Sequence, residues 1–581
     1  MQKVSAICRR NGTLLAKIVG LLVLFSATSH GFFGRAHLLI GQERYTTLLF
    51  YLGIWGISLG ALFIAAFQPR RGVRLFWAFV IAAATTAGWF YHVISGNSLS
   101  VYNVLSLWAA RHEAGRAAVQ YGQHILPAAA LFIATFLIIA VPARLPRAWM
   151  DRVLGWFFWA PAVPVGLIAA IIYLKSGGGS QALPNQFQPL AVATVALERQ
   201  LTHTMPPRMA VPFPPKDSPR IRKIVFLVDE SLRPEYLNFT PGNAETPHLP
   251  ALLKTAANFG KAVSGGNCSS YANAILRFTA QREDLVTSAA TYPTLWQWAK
   301  KAGFRTVFID GQSGFAKDPG KLQNFMTVSE SRFIDRFIRL NGVLTPQLDF
   351  ALLERMKAEL EKPGPVFIYA NKNGAHFPYD ADYPSSAKRY RPTLTEAGEE
   401  TLQAKVNSYR NAIAWNVDEF FRRLLKEVDL SDTLIIYTSD HGQNLQPGHL
   451  THCSTEDPSP REGLVPLLAI TGDRALLARF RKTARTLRDG ADHFRIAPTL
   501  LRLMGYARTD LATLYGPDLF TPTPRKQPLA FSYGDIFGLF SRKAHWKIIN
   551  PRENHLERLP IPPMHAHKPA SMSGQTEGAP G

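Results

Sequence analysis

The first 175 residues are dominated by long apolar runs. Five stretches contain no Asp, Glu, Lys or Arg: Ile18–Gly34, Tyr45–Pro69, Leu75–Ala110, Ala117–Ala143 and Val153–Leu174. A helix needs about 20 apolar residues to cross the hydrocarbon core, and each run offers about that many or more. The pattern predicts five transmembrane helices in residues 1–175. The first run could also be a cleaved signal peptide, but Ala27–His30 is a poor cleavage site, which favours a retained helix.

The basic residues between the runs predict how these helices are oriented. One set of flanking segments carries Arg9, Arg10, Lys17, Arg70, Arg71, Arg74, Arg144, Arg147 and Arg152. The alternate loops carry fewer, namely Arg35, Arg44, Arg111 and Arg116. Because cytoplasmic loops hold the excess of Lys and Arg, the amino terminus is predicted to be cytoplasmic. An odd number of crossings then places the chain after Leu174 outside the cytoplasm.

Residues 176–219 are expected to connect the membrane domain to a soluble domain. A Gly-rich exit at Lys175–Ser180 has the composition of a flexible linker. The mildly amphipathic stretch Pro184–Gln200 predicts an interfacial helix, and the Pro-rich run Met205–Pro219 follows it.

Residues 220–563 show the alternation that is typical of an α/β domain. Candidate strands are Lys223–Val228, Arg305–Ile309, Val366–Ala370, Thr433–Thr438, Leu464–Thr471 and His545–Ile549. Candidate helices are Leu249–Phe259, Pro293–Ala302, Asp349–Glu361, Leu402–Val428 and Phe494–Met504. Such alternation predicts a mostly parallel sheet with helices on both faces, which binds ligands beyond the carboxyl ends of its strands. Residues 564–581 are low in apolar content, which predicts a disordered tail.

The formal charge of +22 does not indicate a nucleic-acid-binding protein. The basic residues border apolar runs instead of forming one cluster, and no zinc-finger, homeodomain or RRM signature occurs. A basic surface also suits a protein that handles anionic lipids. We therefore expect the bilayer, and no nucleic acid, as a partner.

Carboxylates and imidazoles follow three of the candidate strands. Asp229 and Glu230 follow the first, Asp440-His441-Gly442 follows Thr433–Thr438, and His376 lies shortly after Val366–Ala370. Oxygen and nitrogen donors at neighbouring strand ends suit a Zn²⁺ ion. Each element alone has a structural explanation as a turn or a helix cap, so the prediction depends on their joint occurrence.

These motifs resemble those of the phosphoethanolamine transferases of the alkaline phosphatase/sulfatase superfamily, which include lipid A-modifying and colistin-resistance enzymes. Glu230-Ser-Leu-Arg233 is similar to the family's Glu-Thr-x-Arg motif, Asp440-His441-Gly442 to its Asp-His-Gly pair, and Gly374-Ala-His-Phe-Pro378 to its Gly-Ser-His-x-Pro segment. The resemblance implies an alkaline-phosphatase-like (sulfatase-like) catalytic domain behind the membrane helices.

The resemblance also implies roles for single residues. Zn²⁺, as one or two ions or another divalent cation, would be held by Glu230, Asp440 and His441, with Asp229 either adding to the metal shell or capping its strand. The family's nucleophilic threonine is absent from Ser264–Arg277. Ser269 takes that position, in contact with the metal, and Ser270 is the alternative. His376 and His452 would orient substrate or carry protons, and His449 competes with His452.

The three cysteines leave one question open. Cys8 precedes the first apolar run and is expected in the cytoplasm, whereas Cys268 and Cys453 are expected outside it. These two could form a bridge across the site or remain two buried, unpaired residues. The family usually carries several disulfides.

Sulfatases of the superfamily convert the cysteine of a Cys-x-Pro-x-Arg motif to formylglycine, and Cys268–Ala272 lacks the proline and the arginine of that motif. Formylglycine-dependent sulfate hydrolysis is therefore disfavoured.

The resemblance implies transfer of phosphoethanolamine from phosphatidylethanolamine to lipopolysaccharide or another glycan through a seryl intermediate. It also implies a multi-pass protein of the bacterial inner membrane with a periplasmic catalytic domain. The alternatives are a phosphoglycerol transferase, a phosphodiesterase or another sulfatase-like hydrolase of the same superfamily, and a non-catalytic membrane protein that binds glycans.

Overall fold

The structure, a computed structural model, describes residues 2–109, 114–115, 118, 121–143, 148–312, 328–398, 400–455, 457–522 and 527–552. An apolar helical region is followed by a mixed α/β domain, so the predicted fold class is confirmed. The predicted tail at 564–581, and the end of the predicted catalytic domain at 553–563, lie outside the described residues.

The amino-terminal region consists of helices. They span Gln2–Thr28, Phe32–Gly41, Tyr45–Ala66, Arg71–Ser95, Val101–Ala109, Ile125–Ala140, Ala148–Trp156, Ala162–Leu174 and Gln188–Thr202. Among the described residues, Tyr45–Ala66, Arg71–Ser95 and Gly122–Ala140 are long and apolar enough to cross a membrane. A fourth candidate is the pair Gly12–Thr28 and Phe32–Gly41, which is bent by 63°.

The prediction of five separate spans is therefore wrong, since three or four are found by length and composition. The predicted fifth span, Val153–Leu174, is divided into Ala148–Trp156 and Ala162–Leu174. Ala162–Leu174 has 13 residues, and at 1.5 Å per residue it extends about 20 Å, against about 30 Å of hydrocarbon. Pro161 and Pro164 lie at the division, where a proline at the first turn is compatible with a new helix start.

Two of the basic residues that predicted the orientation are buried at helix ends. Lys17 Nζ donates to the carbonyl oxygens of Ala66 at 2.6 Å and Ile139 at 3.0 Å. Arg74 donates to Ala140 O from Nε at 3.0 Å and to Gln68 O from Nη1 at 2.6 Å. The last carbonyls of a helix have no partner within that helix, so these cations satisfy them and complement the helix dipoles.

The soluble domain is built on a seven-stranded sheet. Its strands are β1 Lys223–Asp229, β2 Ala256–Val263, β3 Arg305–Asp310, β4 Arg336–Arg339, β5 Val366–Asn371, β6 Thr433–Ser439 and β7 Leu464–Thr471. Their order is β2-β7-β6-β1-β5-β3-β4. β7 runs antiparallel to both of its neighbours, β2 and β6, and the other neighbouring pairs are parallel. The mostly parallel sheet that the sequence predicts is therefore present. A separate hairpin pairs β8 Ala530–Tyr533 with β9 His545–Ile548.

Helices cover both faces of this sheet. Their bounds are Leu249–Leu252, Ser269–Arg277, Leu285–Thr291, Leu295–Lys301, Val328–Ser331, Leu348–Leu360, Leu394–Ala397, Leu402–Ile413, Phe420–Glu427, Arg474–Thr486, Ile496–Leu503 and Arg508–Leu511. In β1, Ile224, Phe226 and Val228 join the core on one face, and Val225 and Leu227 join the core on the other. Successive side chains of a strand point to opposite faces, so a strand between two helical layers is apolar throughout.

One predicted helix is mostly strand. The sequence predicts a helix over Leu249–Phe259, but the helix ends at Leu252 and β2 begins at Ala256. β2 pairs with β7 at the edge of the sheet. Pairing and half-burial at an edge outweigh the helical preference of alanine, which is a weak determinant.

The loops of the soluble domain touch the ends of the membrane helices. Ser100 Oγ lies 3.2 Å from Thr455 Oγ1, and the Tyr121 ring lies 6.1 Å from the Phe377 ring. Phe377 follows His376, and Thr455 lies three residues after His452. Both candidate histidine loops are therefore adjacent to the helical region.

Candidate active site

The pairing of β1 with β6 brings the main acidic residues together. Asp229 is in register with Ser439, so Glu230 and Asp440 leave the sheet side by side at its carboxyl edge. The Asp440 N–H donates to Asp229 O at 2.9 Å, and the Ser231 N–H donates to Asp440 Oδ1 at 3.1 Å. Ser231 has a φ of 59°, so the chain turns sharply after Glu230.

Glu230, Asp440 and His441 form a buried cluster. One donor atom from each lies within 4.8 Å of the others. His441 Nε2 is 3.3 Å from Glu230 Oε1 and 3.7 Å from Asp440 Oδ2. The Nδ1–H of the same ring donates to Gly442 O at 2.7 Å, which fixes the ring with Nε2 toward the carboxylates.

The charges of this cluster are strongly coupled. Burial and the charge of Glu230 raise the pKa of Asp440 well above its usual range. Burial alone would raise the pKa of Glu230, but the hydrogen bond and charge of His441 hold it well below its usual range. Burial would lower the pKa of His441, but Asp440 and Glu230 raise it to about 9. Two buried carboxylates thus require positive charge beside them, and with one imidazole they form a donor set that fits a divalent cation.

Ser269 contacts two members of this cluster. Its hydroxyl donates to Glu230 Oε1 at 3.1 Å, and its Oγ lies 3.0 Å from His441 Nε2. Ser269 is the first residue of the helix Ser269–Arg277, and Cys268 before it is extended. The first N–H groups of a helix have no partner within the helix and attract anions. A phosphate could therefore meet both the hydroxyl and these N–H groups.

The side chains of Ser270 and Asp229 have different contacts from those of the adjacent residues Ser269 and Glu230. Ser270 Oγ lies 3.7 Å from Cys268 Sγ. Asp229 Oδ2 accepts hydrogen bonds from Lys372 Nζ at 2.6 Å and Tyr437 Oη at 2.7 Å. Asp349 Oδ2 is also 3.5 Å from Lys372 Nζ. Asp229 Oδ2 thus faces a buried ammonium group, and Asp229 Oδ1 accepts from the Glu230 N–H at 3.0 Å.

Two of the candidate histidines interact with members of the cluster, one by ring contact and one through its charge. The ring of His452 stacks on His441 with 4.4 Å between centroids. The charge of His376 contributes to the lowered pKa of Glu230. Its Nδ1–H donates to Phe377 O at 2.7 Å. His449 instead approaches Gly96 of the helical region, where a Cβ would lie 3.9 Å from its Nδ1.

Two amide side chains at the site were not found by sequence reasoning. Gln312 Nε2 donates to Glu230 Oε2 at 2.6 Å. Asn273 Nδ2 donates to Asp440 Oδ2 at 3.3 Å and to Ser269 O at 3.0 Å. Gln312 follows the end of β3, so the rule of polar residues at strand ends could have identified it. Asn273 lies inside a helix, and the pattern of apolar and polar residues along the chain does not distinguish it from any other helical asparagine.

A disulfide and a buried glutamate tie the Ser269 loop to the His452 loop. Cys268 and Cys453 are paired, which answers the question that the sequence left open. The Cys453 N–H donates to Asn267 O at 2.7 Å, and Asn267 Nδ2 donates to Glu462 Oε2 at 2.8 Å. Glu462 Oε2 also accepts from the Ser454 N–H at 3.2 Å. The loops before Ser269 and after His452 are therefore held together at several points.

The comparison with protein families agrees with this fold. The family model described as Sulfatase matches residues 222–506. No curated protein matches the chain by sequence.

Solved structures extend the likeness beyond residues 222–506. The integral membrane lipooligosaccharide phosphoethanolamine transferase A from Neisseria meningitidis is 16% identical, with a TM-score of 0.60 over 84% of this chain and 95% of that one. At this identity the likeness shows the fold, which includes the helical region. The periplasmic domain of EptC from Escherichia coli, solved in complex with Zn, is 20% identical over 60% of this chain and 97% of its own, with a TM-score of 0.47.

Proposed function

We propose that this protein transfers phosphoethanolamine from phosphatidylethanolamine to lipopolysaccharide, at lipid A or the core, or to another glycan. The Ser269 hydroxyl is the nucleophile. The observation that carries the proposal is the position of Ser269 Oγ, 3.1 Å from Glu230 Oε1 and 3.0 Å from His441 Nε2. A hydroxyl at the start of a helix and against a cation-binding donor set is suited to attack a phosphodiester.

Glu230, Asp440 and His441 would hold the divalent cation, and Zn²⁺ suits their oxygen and nitrogen donors. When bound, the cation would lower the pKa of the serine hydroxyl and neutralise charge on the phosphate. Gln312 fixes the outer oxygen of Glu230, so that Oε1 remains directed at Ser269 and His441.

In the first step, the Ser269 oxygen bonds to the donor phosphorus, and the bond from phosphorus to the diacylglycerol oxygen breaks. The serine proton passes to one histidine, and the diacylglycerol oxygen takes a proton from the other. In the second step, the acceptor hydroxyl gives its proton to the histidine that protonated the diacylglycerol, and its oxygen bonds to phosphorus. The bond from phosphorus to the Ser269 oxygen breaks, and Ser269 regains its proton from the other histidine. The ring of His452 stacks on His441, and the charge of His376 acts on Glu230, so these two histidines are the proton carriers in this scheme.

The location of the domain follows from the same proposal. Both substrates are lipids, and the loops of His376 and His452 contact the helical region. The Cys268–Cys453 disulfide favours an oxidising compartment, which supports a periplasmic domain on an inner-membrane anchor.

Sulfate-ester hydrolysis by formylglycine is a weaker candidate, although the matching family is named Sulfatase. That chemistry converts a cysteine, and the sulfur of Cys268 is bonded to Cys453. The structure therefore favours Ser269 over Cys268 as the reacting residue.

Intact-mass analysis tests the proposal. Wild-type protein exposed to phosphatidylethanolamine should gain a headgroup-sized adduct, and Ser269→Ala should gain none. Ser270→Ala is the matched control and should keep the adduct. Phosphatidylglycerol in a parallel incubation distinguishes a glycerol phosphate transferase. An adduct that survives Ser269→Ala would refute the assignment of the nucleophile.

A further inference from the structure

Asn273 connects the proposed nucleophile to a proposed metal ligand. It lies one helical turn after Ser269 and is fully buried. Its Nδ2 carries two hydrogens, and two acceptors surround it: Ser269 O at 3.0 Å and Asp440 Oδ2 at 3.3 Å. One amide nitrogen thus links the helix that begins at Ser269 to the loop that follows β6.

The oxygen that Asn273 contacts is the one that faces the cluster. Asp440 Oδ1 accepts from the Ser231 and His441 N–H groups at 3.1 and 2.7 Å. Asp440 Oδ2 is the oxygen that lies 3.7 Å from His441 Nε2. The backbone therefore holds one oxygen of the carboxylate, and Asn273 holds the other, which fixes the rotation of the carboxylate plane.

Tyr369 determines which way the amide of Asn273 points. Its hydroxyl donates to Asn273 Oδ1 at 2.8 Å. Burial raises the pKa of Tyr369 to about 12, so the hydroxyl keeps its proton and remains a donor at neutral pH. With Oδ1 accepting from Tyr369, Nδ2 must face Asp440. A reversed amide would place two acceptors together on the Asp440 side.

Arg277, at the end of the helix that contains Asn273, packs on the ring of Tyr369. Its guanidinium carbon lies 4.8 Å from the centroid of the Tyr369 ring and 4.5 Å from that of Phe308. Arg277 is itself fully buried. The helix Ser269–Arg277 thus carries the nucleophile at its first turn, Asn273 at its second, and the residue that packs on Tyr369 at its end.

We propose that Asn273 is a positioning residue that sets the distance between Ser269 and the metal-facing oxygen of Asp440, and that Tyr369 fixes the direction of its amide. The inference rests on the proposed function for the presence of the cation. Groups that orient metal ligands through hydrogen bonds typically change metal affinity by about 10–100-fold when they are removed.

The experiment measures Zn²⁺ affinity of the full-length protein by competition with a chromophoric chelator. Asn273→Ala should weaken binding by about 10–100-fold. Asn273→Asp keeps the size of the side chain but removes the donor and adds a negative charge beside Asp440, so its Zn²⁺ affinity should also differ from that of wild type. Tyr369→Phe should have a smaller effect in the same direction, since the amide can then reverse.

Two control variants separate positioning from loss of folding. Asn407→Ala removes a fully buried helical asparagine that donates to Pro392 O at 3.0 Å. Tyr506→Phe removes a buried hydroxyl that donates to Trp298 O at 2.8 Å. Both should keep wild-type Zn²⁺ affinity, and unfolding of the metal-free proteins reports stability separately.

The outcomes distinguish the two proposals. Equal affinity in Asn273→Ala, Asn273→Asp and wild type would overturn the role of Asn273 and leave the metal site intact. A loss that is equally large in Asn407→Ala would also overturn it, because the effect would then be general. Wild-type protein that binds no Zn²⁺ would overturn both. Weakened binding without detectable lipid transfer would support Asn273 and contradict the proposed reaction.

Discussion

Asn267 donates a 2.8 Å hydrogen bond from its side-chain amide to the carboxylate of Glu462, although the two residues are 195 positions apart. Glu462 is completely buried, and burial raises its pKa to about 7. The carboxylate also accepts from the backbone N–H groups of Ser454 and Ser459. One buried acid therefore joins the loop before Ser269 to the segment after His452.

This arrangement predicts a dependence of stability on pH. Between the ordinary glutamate pKa of 4.5 and the folded value of about 7, the folded protein binds more protons at Glu462 than the unfolded chain does. The contribution of Glu462 to the free energy of unfolding therefore decreases as pH rises across this window. A pKa difference of about 2.5 corresponds to about 3 kcal/mol. Thermal denaturation from pH 4.5 to 8 measures it, and Glu462→Gln should remove this part of the slope. An identical slope in Glu462→Gln would contradict the assignment.

Reduction of the Cys268–Cys453 bond should lower activity before the protein unfolds. The bond flanks Ser269 on one side and His452 on the other, so its loss frees both loops. Removal of a disulfide typically costs about 2–5 kcal/mol of stability. Cys453→Ser should reproduce the effect of reductant on transfer activity, and Cys8→Ser should not. Full activity in reduced protein would show that the hydrogen bonds of Asn267 and Glu462 suffice.

Removal of the charge of Glu230 should affect metal binding, whereas removal of the charge of the adjacent Asp229 should affect stability. Glu230→Gln is expected to abolish metal binding, because Glu230 supplies one of three clustered donors. Asp229→Asn is expected to retain metal. It should lose about 3 kcal/mol of stability, since it breaks a buried ion pair with Lys372 while Asp349 remains 3.5 Å away. Bound metal and chemical denaturation are measured on both variants. Loss of metal in a folded Asp229→Asn protein would place Asp229 among the ligands.

The contact between Tyr121 and Phe377 should matter for lipid donors. The two rings lie 6.1 Å apart and connect the helical region to the loop of His376. Tyr121→Ala should raise KM for phosphatidylethanolamine in bilayers, and it should leave the reaction with a short-chain, water-soluble donor near the wild-type rate. Tyr292→Ala, which removes a partly buried tyrosine next to Tyr515, is the control for general loosening. Equal losses with both donors would mean that the contact only supports folding.

The strand ends of the soluble domain were predictable, because periodicity identifies buried strands and parallel strands present their carboxyl ends at one edge. Glu230, Asp440 and His441 were found in this way. Asn273 was not predicted as a site residue, because it lies within a helix and does not follow the end of a strand. Its hydrogen-bond partners come from β5 and from the loop after β6, which are distant in sequence. β2 was missed because its Ala-rich sequence depends on pairing with β7. The span count failed where hydropathy alone did not reveal the division of Val153–Leu174 into two helices.

The disulfide joins cysteines that are 185 residues apart, so it can form only after both segments have been synthesised. During synthesis, the segment with Ser269 emerges long before Cys453 exists. In the proposed topology, both cysteines must be exported before they can be oxidised. The loops of Ser269 and His452 would then be linked covalently only in the periplasm, where the proposed lipid substrates are reached, and not in the cytoplasm, where the chain is synthesised.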